Sequence, residues 1–107
     1  MSNYRLSVPA SVKRGEAIRI RLIIQHPMET GFRLDAAARP IPKNTIREIV
    51  CRYGGEEVLR MELSSGITAN PYFEFAARAD ATGEIVVDWI DDLDVKGQAR
   101  AMVTVTE

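Results

Sequence analysis

The sequence predicts an all-β fold, an immunoglobulin-like β-sandwich of about seven antiparallel strands in one domain spanning residues 1–107. Three observations carry that prediction. Apolar side chains recur with period two rather than 3.6. Turn-forming residues punctuate the chain at short intervals. The 107 residues, 46% hydrophobic and 27% charged, are enough to bury one core and no more.

The elements follow in chain order. Tyr4, Leu6 and Val8 alternate and then meet Pro9, which suits an edge strand. Lys13-Arg14-Gly15 reads as a turn. Ile18, Ile20, Leu22 and Ile24 alternate with Arg19, Arg21 and Gln25, and Ile23 makes this strand apolar on both faces, as in a central strand. A third strand covers Ile46 to Tyr53, with Ile49, Cys51 and Tyr53 on one face. Gly54-Gly55 joins it to a fourth, in which Leu59, Met61 and Leu63 oppose Val58, Arg60 and Glu62; two such runs across Gly-Gly predict a hairpin with a primed turn. Phe73, Phe75 and Ala77 define a fifth strand within Tyr72–Ala79. A turn over Asp80–Gly83 leads to a sixth with Ile85, Val87 and Trp89 on one side. The last runs from Ala99 to Val105. Only Arg33–Arg39 competes for helix, and Pro40 and Pro42 limit it to a short turn.

Two stretches exceed ordinary hairpin connections. His26–Lys43 is long for a compact domain. Its Met28, Phe32, Ile41 and two prolines predict an ordered, packed loop, which fits either a crossover tied down by apolar anchors or a partner-binding surface. Ser64–Pro71 is the second, where Asn70 sets a turn, Pro71 fixes the approach to the next strand and Tyr72 packs.

Composition narrows the function. Fourteen basic and fifteen acidic side chains give a formal net charge of -1. That balance, with no aromatic platform set in a basic groove, argues against nucleic acid. No apolar run is long enough to span a membrane. No signal-peptide-like run follows Met-Ser-Asn-Tyr-Arg-Leu, which taken alone points to the cytosol. Gly54-Gly55 has no following helix or Lys-Ser/Thr to hold phosphate.

Metal and thiol chemistry have few residues to work with. Cys51 is the one cysteine, so there is no internal disulfide and no multi-cysteine cluster. Its mid-strand position predicts a buried structural thiol, whereas a reactive thiolate needs exposure and a cationic neighbour. His26 is the one histidine and reads as a loop anchor beside Pro27. A Cys51–His26 pair, or a site joining His26 to Glu29 or Asp35, is the alternative reading: a small redox or metal-binding sandwich domain. Asp91-Asp92-Leu93-Asp94 resembles a calcium loop only in composition. A twelve-residue frame from Asp92 sets Gly97 correctly but puts Lys96 at a ligand position and Val103 where the bidentate Glu belongs. A solvated acidic loop is the better expectation.

Several runs also form a recognisable set: His26-Pro27-Met28-Glu29-Thr30-Gly31-Phe32-Arg33 with Asp35, Ile41-Pro42-Lys43, Cys51-Arg52-Tyr53, Gly55-Glu56-Glu57-Val58, Ala69-Asn70-Pro71-Tyr72, and Trp89-Ile90-Asp91-Asp92. Together they resemble the Z-subunit family of the Sox thiosulfate-oxidation carrier complex, over about Val12 to Val105. Asp35-Ala36-Ala37-Ala38 lacks a glycine seen in many relatives, and Tyr53-Gly54-Gly55 stands where many have Tyr-Asn-Gly. The resemblance implies an immunoglobulin-like, non-catalytic subunit without a cofactor. It implies a heterodimer with the Y subunit, whose cysteine on a Gly-rich arm carries covalent sulfur intermediates, and transient contact with other Sox enzymes. It also admits a self-associated dimer of the isolated chain. It implies a periplasmic location reached by co-export with the Y subunit, against the cytosolic expectation. His26, Met28, Glu29, Arg33, Asn70 and Tyr72 are the residues expected to bind partners or shape the binding surface. Cys51 corresponds to an in-strand cysteine of the family, not to the carrier arm.

Overall fold

The computed structural model describes residues 3–63 and 69–107. The described residues form eight strands and no helix. These are β1 (Tyr4–Ser7), β2 (Ser11–Lys13), β3 (Ala17–Ile24), β4 (Ile46–Tyr53), β5 (Glu56–Glu62), β6 (Tyr72–Arg78), β7 (Gly83–Asp91) and β8 (Lys96–Thr106). They make a three-stranded sheet in the order β1-β3-β6 and a five-stranded sheet in the order β2-β8-β7-β4-β5.

The period-two pattern becomes burial directly. In β3 the residues alternate exposed and buried without exception, and Ile18, Ile20, Leu22 and Ile24 are fully enclosed. They face Ile49, Cys51, Ile85, Val87 and Val103 of the other sheet in one continuous core. An irregularity in the β4–β7 register between Ile46 and Glu48 lets Ile46 face inward as well as Ile49. The β4–β5 hairpin closes through Gly54 and Gly55 at φ 58° and 85°, the pair of positive values that a primed turn needs.

Close approach explains Gly97. A Cβ there would lie 2.2 Å from the Trp89 ring, so only glycine lets the buried indole cross the β8 backbone. Tyr4 meets the indole edge-on at 5.5 Å between ring centroids. At the opposite end Tyr53 bonds the Ala81 carbonyl, and its hydroxyl accepts the Asp80 and Ala81 N–H groups, pinning the turn before β7.

The structure departs from the sequence reading in two places and sharpens it in a third. An eighth strand, β2, pairs parallel with β8 through Ser11↔Thr104 to Lys13↔Thr106. It buries only Val12, and three residues are too short for a periodic signal. Arg33–Arg39 stays within the short turn expected of it, and its form is now defined: the Ala38 N–H bonds the Asp35 carbonyl, Leu34 bridges Pro40, and Asp35 Oδ1 accepts the Ala37 and Arg39 N–H groups in a tight reversal. The long loop is anchored as expected by buried Met28 and half-buried Ile41, but not by Phe32, which is 89% exposed. Residues 64–68 of the second irregular stretch lie outside the described residues.

Candidate functional site: the end of the sandwich around His26

At the end of β3 the chain turns into the long loop, and four segments distant in sequence meet there. Asn70 and His26 exchange two bonds: the His26 N–H donates to Asn70 Oδ1 at 3.0 Å, and the Asn70 N–H donates to the His26 carbonyl at 2.8 Å. Asn70 takes φ 53°, a conformation its short amide side chain tolerates. The His26 ring is buried. Its Nδ1 accepts the Met28 N–H at 3.0 Å, so the ring proton resides on Nε2, which points at Asp91 Oδ2 at 3.1 Å. The other Asp91 oxygen accepts the Leu93 and Val95 N–H groups, each at 2.9 Å. Burial pushes the Asp91 carboxyl up, but the Val95, His26 and Leu93 donors outweigh it and hold the group below its ordinary value.

A second carboxylate repeats the device. Asp92 Oδ2 accepts both the Thr45 N–H and the Thr45 hydroxyl at 2.8 Å and lies 3.2 Å from Lys43 Nζ. Again burial pushes the group up, and the Thr45 and Lys43 donors bring it below its usual range. Met28, at φ 51° and only 4% exposed, donates its N–H to the His26 ring and accepts the Ile46 N–H at its sulfur, 3.3 Å away. The result is a clasp: Asp91 and Asp92 close the β7–β8 loop while fastening both ends of the long loop.

The sequence-predicted residues divide into two groups. His26 and Met28 were expected to shape a binding surface; both are buried and act from beneath it, because the ring and the thioether satisfy backbone N–H groups that solvent does not reach. Glu29, Arg33, Asn70 and Tyr72 lie at or near the surface. Glu29 receives Arg33 through two bonds of 2.6 and 3.1 Å, and this guanidinium lowers the Glu29 carboxyl. Tyr72, expected to pack, is 53% exposed and donates its hydroxyl to Glu74 at 2.7 Å. The acidic loop is not simply solvated, since Asp91 is buried against His26. A shallow hollow of about 390 Å³ above the clasp is lined by Pro27, Met28, Glu29, Thr30, Arg33 and Ala69.

Neither expected partner of His26, Glu29 or Asp35, meets it; Asp91 does, 65 residues away. The sequence marked that carboxylate only as part of the acidic run Asp91-Asp92-Leu93-Asp94 and of the family motif Trp89-Ile90-Asp91-Asp92, not as a partner of His26. Both ring nitrogens are engaged, and among the described residues no group of three or more His, Cys, Asp or Glu side chains stands together as a metal would require. Cys51 sits in the middle of β4 with no exposure, and burial pushes its thiol up to about 11.

Structures sharing the fold include a superoxide reductase (neelaredoxin) from Ignicoccus hospitalis, 21% identical, with a TM-score of 0.69 over 96% of this chain and 80% of that one. A putative superoxide reductase from Thermotoga maritima gives 18% and 0.72 over 97% and 86%. The sulfur carrier protein SoxY from Chlorobium limicola f thiosulfatophilum gives 13% and 0.66 over 97% and 79%. At these identities the likeness is one of fold. No curated protein matches the chain. A family model described as sulphur oxidation protein SoxZ matches residues 5–102, nearly the whole chain, and the chain therefore belongs to the SoxZ family.

Proposed function

We propose that the chain is the non-catalytic subunit of a two-subunit sulfur carrier. It binds a SoxY-type subunit whose cysteine holds covalent sulfur intermediates during thiosulfate oxidation. The family match over residues 5–102 carries the reading. The buried Cys51 supports it: a thiol raised to about 11 and closed off from solvent is a poor acceptor of sulfur, so the accepting thiol belongs to a partner. The complex works in the periplasm, is exported together with the SoxY-type subunit and meets other Sox enzymes in turn.

The surface proposed for the SoxY-type subunit is the end of the sandwich above the clasp. There Phe32 stands 89% exposed beside Leu34 and Arg33, on a loop that His26 and Met28 hold from below. An aromatic on a fixed backbone loses little entropy on binding, as an anchor should. Glu29 sets the Arg33 guanidinium, and Asn70 fixes the chain entering Tyr72.

Co-expression with a SoxY-type chain, affinity capture and native mass measurement test the proposal. A stable one-to-one complex is expected. A chain that stays alone, with Cys51 reactive in the folded state, overturns the reading and favours the thiol or metal domain. The geometry gives that alternative little support, since His26 is bound to Asp91 and Met28 rather than to Cys51.

A further inference from the structure

The outer face of the three-stranded sheet differs in charge from the rest of the molecule. The registers place Arg5, Arg19, Arg21 and Arg78 on it, with Glu74 the one carboxylate among them. Across the sheet, Ser7, Arg21 and Glu74 form one row, and Arg5, Ile23 and Tyr72 the next. Glu74 lies 3.5 Å from Arg19 and 3.9 Å from Arg21, while Arg5 and Arg78 have no carboxylate partner among the described residues. With four of the fourteen cations and one of the fifteen acids in its strands, this face carries a net charge of +3 and the remainder of the chain one of -4, and Glu16 adds a carboxylate at the larger hollow beside it. A chain of net charge -1 has therefore concentrated positive charge on one face.

The outer face of the five-stranded sheet is built differently. Its arginines are matched within the sheet: Arg52 to Asp88 at 2.8 Å, Arg60 to Glu48 at 2.6 Å and Glu57 at 2.7 Å, Arg100 to Glu84 at 2.9 Å. Those charges answer one another. On the smaller sheet a single carboxylate, Glu74, is shared by Arg19 and Arg21, and Arg5 and Arg78 have none among the described residues.

We infer that the outer face of β1, β3 and β6 docks a carboxylate-rich surface of a partner protein, in a contact that forms and breaks readily. This goes beyond the pairing proposed above, which uses a different part of the molecule. Three features select that occupant. The face is broad and shallow, with hollows of about 260 and 440 Å³ that share Ser7 and Arg21, and the Arg19 and Arg21 side chains are 72% and 54% exposed. A single small anion would stay largely hydrated and screened there, whereas several carboxylates engage the guanidiniums together. Ile23 and Tyr72, 40% and 53% exposed, give the face an apolar row suited to a protein surface rather than to a phosphate backbone. Unpaired surface charge also steers encounter and suits transient contact, while the core of a permanent interface is depleted in charge.

The test uses the isotope-labelled full chain and a synthetic peptide of ten alternating aspartate and glutamate residues. Amide shifts are followed at low and at moderate salt. A glycine-serine peptide and a single-stranded oligonucleotide serve as controls. Shifts confined to β1, β3 and β6, weakened at least tenfold in the Arg5→Ser/Arg21→Ser/Arg78→Ser variant and by added salt, are the expected result. Shifts centred on Lys96 and Arg100, an undiminished response in the triple variant, or tighter binding of the oligonucleotide would overturn the proposal. The three positions are exposed, and the amide spectrum reports directly that the variant is folded. Because the free chain is used, failure here leaves the SoxY-type pairing untouched, and failure of that pairing leaves this result standing.

Discussion

His26 does its work through one tautomer. Because Nδ1 accepts from Met28, the ring donates only through Nε2, and Asp91 is its acceptor. Asp91→Asn replaces an acceptor oxygen with a donor or forces an amide flip, leaving a buried group unpaired either way; a loss of about 2 kcal/mol is expected in urea unfolding. His26→Ala should cost at least as much, since the Met28 N–H and the Asp91 oxygen both lose their partner. The same carboxylates make stability depend on acid. Asp91 and Asp92 are held below their ordinary value in the folded chain, so the unfolded chain takes up protons first as pH falls. Their contribution is complete above the ordinary aspartate value of about 4 and is lost as pH falls through it toward the lower folded values. Urea midpoints should therefore drop between about pH 5 and pH 2, and Asp92→Asn should flatten that slope. Cys51 gives a third readout at this scale. Its thiol is pushed up from 9.0 to about 11 by burial, so in the folded chain the thiolate fraction at pH 8 is about a hundredfold lower. A chromogenic disulfide reagent should leave the folded protein unmodified and react promptly once urea unfolds it.

At the scale of elements, the β7–β8 hairpin depends on one close contact. Gly97→Ala would place a methyl 2.2 Å from the Trp89 ring, and neither the buried indole nor the paired strand has room to yield. A loss of about 2–3 kcal/mol and a shift in tryptophan emission are expected, measured by thermal unfolding and fluorescence. The long loop should behave in the opposite way. Phe32→Ala removes a side chain with almost no contacts, so urea stability should stay within about 0.5 kcal/mol of the parent, while affinity for the SoxY-type subunit falls about tenfold or more. If Phe32→Ala leaves that affinity unchanged, the loop is only a connection between sheets.

In the whole molecule the clasp and the basic face divide the surface by kind of contact. The loop end, proposed above as the subunit interface, offers an exposed aromatic over a buried, hydrogen-bonded support. The β1-β3-β6 face offers an excess of cations over carboxylates, which favours rapid, salt-sensitive encounter. Ionic strength should separate them. Raising salt from about 0.05 to 0.3 M should leave the subunit complex intact while abolishing acidic-peptide binding, as followed by native mass and amide shifts.

The sequence by itself determined the strands. Alternation placed Ile18 through Ile24, Ile49, Cys51, Ile85 and Val87 in the core, because a residue's face in a strand depends only on its parity. It determined the β4–β5 turn, because Gly54-Gly55 is a local conformational demand. The family's motifs were legible for the same reason, being contiguous runs. What tertiary structure alone decided is long-range. It joined His26 to Asp91, decided between the packed and the surface role open to Met28, left Phe32 in solvent, and gathered arginines from three strands onto one face. It also added β2, a strand that exists only because β8 runs beside it. None of these could be read locally, since pairing between segments tens of residues apart is set by how two sheets stack and not by the composition of either segment.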